Sequence, residues 1–426
     1  MRKPGTHKLC AVQPECCRQC SSSKELSLPA MMCMVVLFCV AAVIAAPAQS
    51  VFFTSLASFD GANGANPQAA LIQGTDGNFY GTAAYGGANG VGVVFRITPA
   101  GTLTTLYSFC YPWDCPGSGY EPTTGLIQAS DGNLYGTTSQ GGTLGYGTLF
   151  QITPAGTLTL LYTFNGSDGT GPSSALVQAS DGDFYGTTSG GGTSNNCGSN
   201  GCGTVFKITP SGMLTTLHSF EGSDGIGPSG ALVQASDGDF YGTTLGGGAY
   251  SFGTIFKITL AGTLTTLYTF DGYQGVFPNG LVQASDGNFY GTTSGGGSDG
   301  SGTVFEITPA GSLTTLYSFF GPTGDLPEGG IIQARDGNFY GTTRKGGDLG
   351  CTSSGYGCGT VYRITPVGSL STLHSFNLRD GYAPCAGLVQ ARDGSFYGTT
   401  TYGGGDFGDG TFFRVGVVNS CATCRP

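Results

Sequence analysis

The string Asp-Gly-x-Phe-Tyr-Gly-Thr-Thr, with small variations, begins at Asp76, Asp131, Asp181, Asp237, Asp286, Asp336 and Asp393. Successive copies lie 55, 50, 56, 49, 50 and 57 residues apart. A period near 50 makes the chain a tandem array of one supersecondary unit, whose apolar faces are buried by neighbouring units. It also gives meaning to 78 glycines and 20 prolines in 426 residues, a content that without a period would read as low complexity. No Gly-X-Y repeat is present, and charged residues make up only 10%. Collagen, coiled coils and solvated disordered chains are therefore excluded.

Residues 281–319 show what one unit contains. Four short runs rich in β-branched and aromatic residues are separated by turn signals: a (LVQAS), b (NFYGTT), c (GTVFEIT) and d (SLTTLYSF). A Ser-Asp-Gly turn joins a to b and a Pro-Ala-Gly turn joins c to d. No apolar period of helical length follows residue 48. Four antiparallel strands in about 50 residues predict the blade of a β-propeller. The alternative, a β-solenoid, has shorter coils and lacks two tight hairpins per unit. The ends favour the propeller. Residues 53–59 (FTSLASF) match run d, whereas the seventh unit ends after run c, at 411–415. The expected fold is all-β, a seven-bladed propeller over 49–418 whose last blade is completed by the N-terminal strand. Within run b, Phe79 and Gly81 are expected to face one way and Tyr80 and Thr82 the other, with glycine permitting close blade stacking.

Residues 31–46 form an apolar run that precedes the small-x-small sequence Ala46-Pro47-Ala48. This run predicts that 1–48 is a leader with a secretory signal peptide, cleaved between Ala48 and Gln49. Cys10, Cys16, Cys17 and Cys20 in the leader fit no common zinc spacing. The remaining chain holds 11 basic and 24 acidic residues, which disfavours a nucleic-acid partner. No later run is long enough to span a membrane. The expectation is an exported monomer, extracellular or at the cell surface.

The repeated LVQASDGNFYGTT…GTVFKITPAGTLTTLYSF, over about 51–415, resembles the GloVer tandem repeat of exported bacterial choice-of-anchor proteins. More loosely, the layout is similar to NHL-type propellers. The resemblance implies a secreted or surface-attached bacterial protein. Members often carry a C-terminal anchoring segment; here residues 419–426 form a short cysteine-containing tail with no apolar run.

In a four-stranded meander the a–b and c–d turns lie on one face, and the b–c and d–a connections on the other. All large insertions fall in the second group: around 110–115, 195–202 and 348–358, with five, six and seven extra residues. That pattern marks this face as a candidate recognition surface; the alternative is neutral drift in permissive loops. Each insertion holds a cysteine pair, Cys110/Cys115, Cys197/Cys202 and Cys351/Cys358, expected to form local disulfides. Cys385 is a candidate partner for Cys421 or Cys424 of the terminal CATC. A redox role for CATC lacks the surrounding βαβ pattern.

Candidates for chemistry are few. His218 and His374 both replace the tyrosine of run d, a scaffold position. Loop residues Trp113, Glu121, Asp168, Glu221, Asp224 and Glu328 are binding candidates, and two of the glutamates could act as a glycosidase-like pair. The loops 165–169 and 221–225 resemble calcium-binding turns without the full ligand ladder, so no metal or cofactor is expected, calcium being the one candidate. Seven glutamines recur in run a: Gln73, Gln128, Gln178, Gln234, Gln283, Gln333 and Gln390. They are expected either to bond blade to blade or to ring a central channel. The functional expectation is a non-enzymatic binding scaffold for an extracellular protein or polysaccharide. The alternatives are a carbohydrate-active hydrolase or lyase using loop carboxylates, and a structural surface protein.

Overall fold

The computed structural model describes residues 49–115, 117–405 and 408–419. The expected leader through Ala48 and the pair Cys421/Cys424 lie outside the described residues. Seven antiparallel sheets follow one another along the chain: blade 1 (72–108), blade 2 (127–163), blade 3 (177–219), blade 4 (233–269), blade 5 (276–318), blade 6 (331–375) and blade 7 (389–419 with 49–58). In blade 3 the a to d strands are Val177–Gln178, Phe184–Gly190, Thr204–Ile208 and Leu214–Ser219. Blade 7 is built from both ends of the array. Strand Gln49–Ser58 pairs antiparallel with Thr411–Asn419, from Gln49 opposite Asn419 to Ser58 opposite Thr411. Strand a is shorter than the sequence suggests, only two residues in most blades, because the hairpin turn already begins at its alanine: the Ala179 N–H bonds to Asp183 O.

The blades are joined by a seam that repeats around the ring. Tyr185 of strand b lies against Phe240 of the next blade, with centroids 4.3 Å apart. The same contact recurs from Tyr135 to Phe184 and closes the ring from Tyr397 to Phe79 at 4.4 Å. Each such pair adds roughly 0.5–1.5 kcal/mol beyond the area it buries. Strand-b glycines make room within the blade: a Cβ on Gly186 would lie 2.6 Å from the Phe206 ring. Gly212, in the c–d turn of blade 3, has φ +90°, and a Cβ there would lie 2.7 Å from Leu161 O. Leu161 is the extra residue of the bulge between the last two strands of blade 2. The turn glycine is thus demanded both by its backbone and by the blade it docks on.

Polar groups inside the blades come in satisfied pairs. Thr188 and Thr204 share a buried hydroxyl–hydroxyl bond of 2.8 Å across strands b and c. In blade 1 the pair is Ala83 opposite Val93, both apolar, a joint replacement that leaves no orphaned group. The Asp-Gly turns are tied similarly. Asp181 accepts the Tyr185 hydroxyl at 2.7 Å, the Asp183 N–H at 3.1 Å and Lys207 Nζ at 3.0 Å. Burial alone would raise Asp181, but the bonds from Tyr185 and Lys207 outweigh it and hold the carboxyl below its usual range. Burial and then the Asp181 hydrogen bond push Tyr185 up to about 12.

A buried tyrosine departs from this pattern. Tyr362 stands where other blades carry Phe95, Phe206 or Phe256, and its fully buried hydroxyl has no hydrogen-bond partner among the described residues. Tyr362→Phe should therefore stabilise the protein by about 1 kcal/mol, read as a raised denaturant midpoint with unchanged slope. An unchanged or lowered midpoint contradicts the orphaned hydroxyl.

The turn aspartates set an acid limit. Asp76, Asp131, Asp181, Asp237 and Asp336 all titrate below their ordinary value in the folded state. Each stabilises the fold fully above the unfolded carboxyl value of about 3.9, and this is lost as pH falls through the lowered one. Asp409, raised by burial and by Asp60, acts in the opposite sense but alone. The thermal midpoint should fall as pH drops from about 5 to about 2, and fall less in Asp181→Asn/Asp237→Asn.

Candidate functional site

The a–b and c–d turns occupy one face of the ring, and the b–c and d–a loops the other. On the second face, loop pairs support one another through short strands: Gly119–Tyr120 pairs with Gln140–Gly141, and Thr170–Pro172 with the end of the blade 3 strand b. Cys110–Cys115, Cys197–Cys202 and Cys351–Cys358 are disulfide-bonded within these loops. Trp113 projects from the first of them, 73% exposed, with Tyr111 stacked on it at 4.2 Å and 11°.

Two binding candidates have structural duties instead. Asp168 is buried and accepts the Tyr162 hydroxyl at 2.6 Å and the Asn165 N–H at 2.9 Å, closing its own d–a turn. Asp224 makes the equivalent bonds, to His218 Nε2 at 2.7 Å and the Glu221 N–H at 2.8 Å. Burial would raise Asp224, and the His218 and Glu221 bonds overcome it, leaving its carboxyl lowered. His374 pairs with Asp380 in the same way, at 3.1 Å. Histidine in strand d therefore replaces tyrosine as the loop's anchor. In the calcium-like turns Asp168 and Asp224 are occupied by the chain's own donors. Among the described residues no three His, Cys, Asp or Glu side chains gather as a metal site.

The glutamine ring is not the channel lining. Gln128 Oε1 accepts the Thr75 N–H of the preceding blade at 2.8 Å, and its Nε2 donates to Gly132 O of its own turn at 2.9 Å. Gln178, Gln234, Gln283, Gln333 and Gln390 repeat both bonds. Gln73 completes the circle by accepting the Arg392 N–H at 2.9 Å and donating to Gly77 O. Both ends of every amide are spent on the seam.

A central cavity of about 300 Å³ is lined instead by the d–a connections. Each contains a proline, and the residue after it faces the cavity: Gln68, Thr123, Ser173, Ser229, Asn279, Glu328 and Cys385. The residue before each proline is held at positive φ, from 54° at Ala383 to 63° at Gly227, and five of the seven are not glycine. Left-handed backbone costs a non-glycine residue roughly 1–2 kcal/mol, so the loops are over-determined where they meet the channel. The sequence analysis missed this ring. Its signal was present: within near-identical repeats, the position after proline is polar in six units and cysteine in the seventh, and it varies in type.

Of the glutamates, Glu328 lines the cavity and pairs with Arg344 at 3.1 Å. Glu121, at φ 55°, accepts from Gln140 at 3.2 Å, and Glu221 is exposed. The three sit in the first, third and fifth inter-blade connections, each with a further connection between, and no pair is assembled. Cys385 is a free thiol among the described residues, and burial first of all pushes it up to about 11. It stays protonated and poorly nucleophilic near neutral pH. Its pairing with Cys421 or Cys424 lies outside the described residues.

The disulfides close short local loops rather than joining blades. Cys197→Ala/Cys202→Ala should lower stability by about 2 kcal/mol while the strand signal in circular dichroism stays unchanged. Loss of the whole fold would contradict the local role.

Comparison with known proteins agrees with this geometry. The extracellular domain of "the putative hybrid two component system BT3049" from B. thetaiotaomicron aligns at 12% identity and TM-score 0.53, over 84% of this chain. The extracellular domain of "the putative one component system BT4673" from the same organism aligns at 14% and 0.53, over 89%. The chain spans only 40% and 43% of those two structures. A "putative 6-phosphogluconolactonase" from Bacteroides uniformis aligns at 17% identity and TM-score 0.50, over 80% of this chain and 98% of its own. At these identities the likeness is one of fold. No curated protein matches the sequence. The profile of the Gloeobacter/Verrucomicrobia repeat matches residues 42–198 and 192–413, and the chain belongs to that repeat family.

Proposed function

We propose that the protein is an exported, non-enzymatic binding scaffold that presents its b–c and d–a loops to an extracellular partner. The observation that carries this reading is the segregation of exposed aromatic side chains. Eleven are exposed among the described residues, and ten lie in these loops, Tyr273 (85%), Trp113 (73%), Tyr250 and Tyr356 foremost. The exception, Phe52, is in the N-terminal strand of blade 7. Exposed tyrosine and tryptophan on stiffened loops give large contact area at small entropic cost.

The topology supports the same orientation. Strand Thr411–Asn419 runs towards the turn face and Gln49–Ser58 starts from it, so Gln49 and Asn419 stand opposite each other on the face away from the aromatic loops. Disulfides in the loops and the extracellular domains among the fold's neighbours support export. Among the described residues no helix is long and apolar enough to cross a membrane. A hydrolase or lyase reading lacks its carboxylate pair, for the reasons given above.

A glycan and protein array probed with the purified protein tests the proposal. Binding without turnover is expected, and Trp113→Ala/Tyr273→Ala should weaken it roughly tenfold or more. Binding that ignores both substitutions, or release of product from a bound glycan, would overturn it.

A further inference from the structure

The loop face and the turn face differ in charge as well as in aromatic content. Among the described residues the b–c and d–a loops hold thirteen carboxylates and three cations, Arg344, Lys345 and Arg379. The strands and turns of the other face hold ten carboxylates and seven cations. The loop face thus has a net charge of about −10 and the turn face about −3, even though both draw on the same repeat. On the turn face, lysines sit against the Asp-Gly carboxylates, as Lys257 does with Asp237 at 2.9 Å and Asp239 at 2.8 Å. On the loop face most carboxylates have no cation beside them, and two of the three cations are already engaged. Arg344 pairs with Glu328, and Lys345 Nζ lies 4.6 Å above the Tyr356 ring.

Taking the loop face as the recognition surface argued above, we propose that its partner is a basic polypeptide, recognised through lysine and arginine side chains. Exposed tyrosine and tryptophan amid uncompensated carboxylates offer a cation both a ring face and a counter-charge. Lys345 over Tyr356 is that arrangement made within the chain itself. The surplus of negative charge repels an anionic polysaccharide, and a neutral one would gain nothing from it. The aromatics also sit around the ring, from Tyr85 in blade 1 to Tyr402 in blade 7, rather than along a line. A round array suits a folded or clustered basic surface better than a single extended sugar chain.

The probes are poly-L-lysine, poly-L-glutamate and soluble chitosan, measured by biolayer interferometry on the purified protein at low and high ionic strength. Poly-L-lysine should bind, weaken roughly tenfold or more with added salt, and outcompete chitosan. Two variants of equal charge change separate a face from a net charge. Asp114→Asn/Glu221→Gln/Asp299→Asn alters the loop face by three charges. Glu306→Lys/Gln151→Lys alters the turn face by the same amount, at positions where other blades already carry Lys207 and Lys257. The first should weaken poly-L-lysine roughly tenfold, and the second should leave it near wild type. Equal loss in both variants, no binding of poly-L-lysine, or preference for chitosan would overturn the basic-polypeptide proposal. Array binding of a neutral glycan that depends on Trp113 and Tyr273 would then leave the scaffold reading standing, and an array without ligands would remove both.

Discussion

The seam between neighbouring blades is the interaction on which the rest of the molecule depends. At each seam a glutamine amide accepts a backbone N–H from one blade and donates to a turn carbonyl of its own, while a tyrosine ring lies across the next blade's strand b. A single hydrogen bond of this kind contributes only about 1 kcal/mol. Repeated around a closed ring, however, the seams leave no terminal unit with an unpaired neighbour. Closure is therefore a structural requirement as well as a result. An open array of these blades would expose one seam face at each end.

The seams on either side of blade 7 differ from the others in an instructive way. Six seams dock a c–d turn glycine on the bulged leucine of the preceding blade, from Gly101 on Leu56 to Gly368 on Leu316. The seam between blades 6 and 7 has no such turn, because strands c and d of blade 7 come from opposite ends of the chain. Arginine stands in place of serine at the last two turns. Arg335 reaches Arg392 O at 3.4 Å, and Arg392 reaches Thr75 O at 3.0 Å and Gly74 O at 3.3 Å. The extra charge-assisted bonds fall beside the place where covalent continuity is lost.

Because the seam fixes strands and turns so tightly, the loops that leave the other face are where the repeats can differ. The fold was legible because its signals recur: one Asp-Gly-x-Phe-Tyr-Gly-Thr-Thr string reveals a hairpin and seven reveal a ring, while the orphan FTSLASF shows how the ring closes. The site was less legible. Asp168 and Asp224 look like ligand carboxylates in sequence, yet they anchor loops through Tyr162 and His218, six residues away in the chain. Such contacts depend on how a loop folds back, which spacing alone does not convey. The glutamines left two readings open for the opposite reason, since recurrence is what a seam residue and a channel residue share. Variation after each proline distinguished the true channel lining, and charge became informative only once topology had sorted residues between two faces.

Native-state amide hydrogen exchange resolved along the chain tests ring closure most directly. The account predicts that residues 49–58 and 411–415 are protected as strongly as the continuous pair 204–208 and 214–219 in blade 3. It further predicts that the Arg392 N–H exchanges as slowly as the Ser180 N–H at an ordinary seam. Fast exchange in 49–58 and at Arg392, with the other blades still protected, would contradict a closed ring.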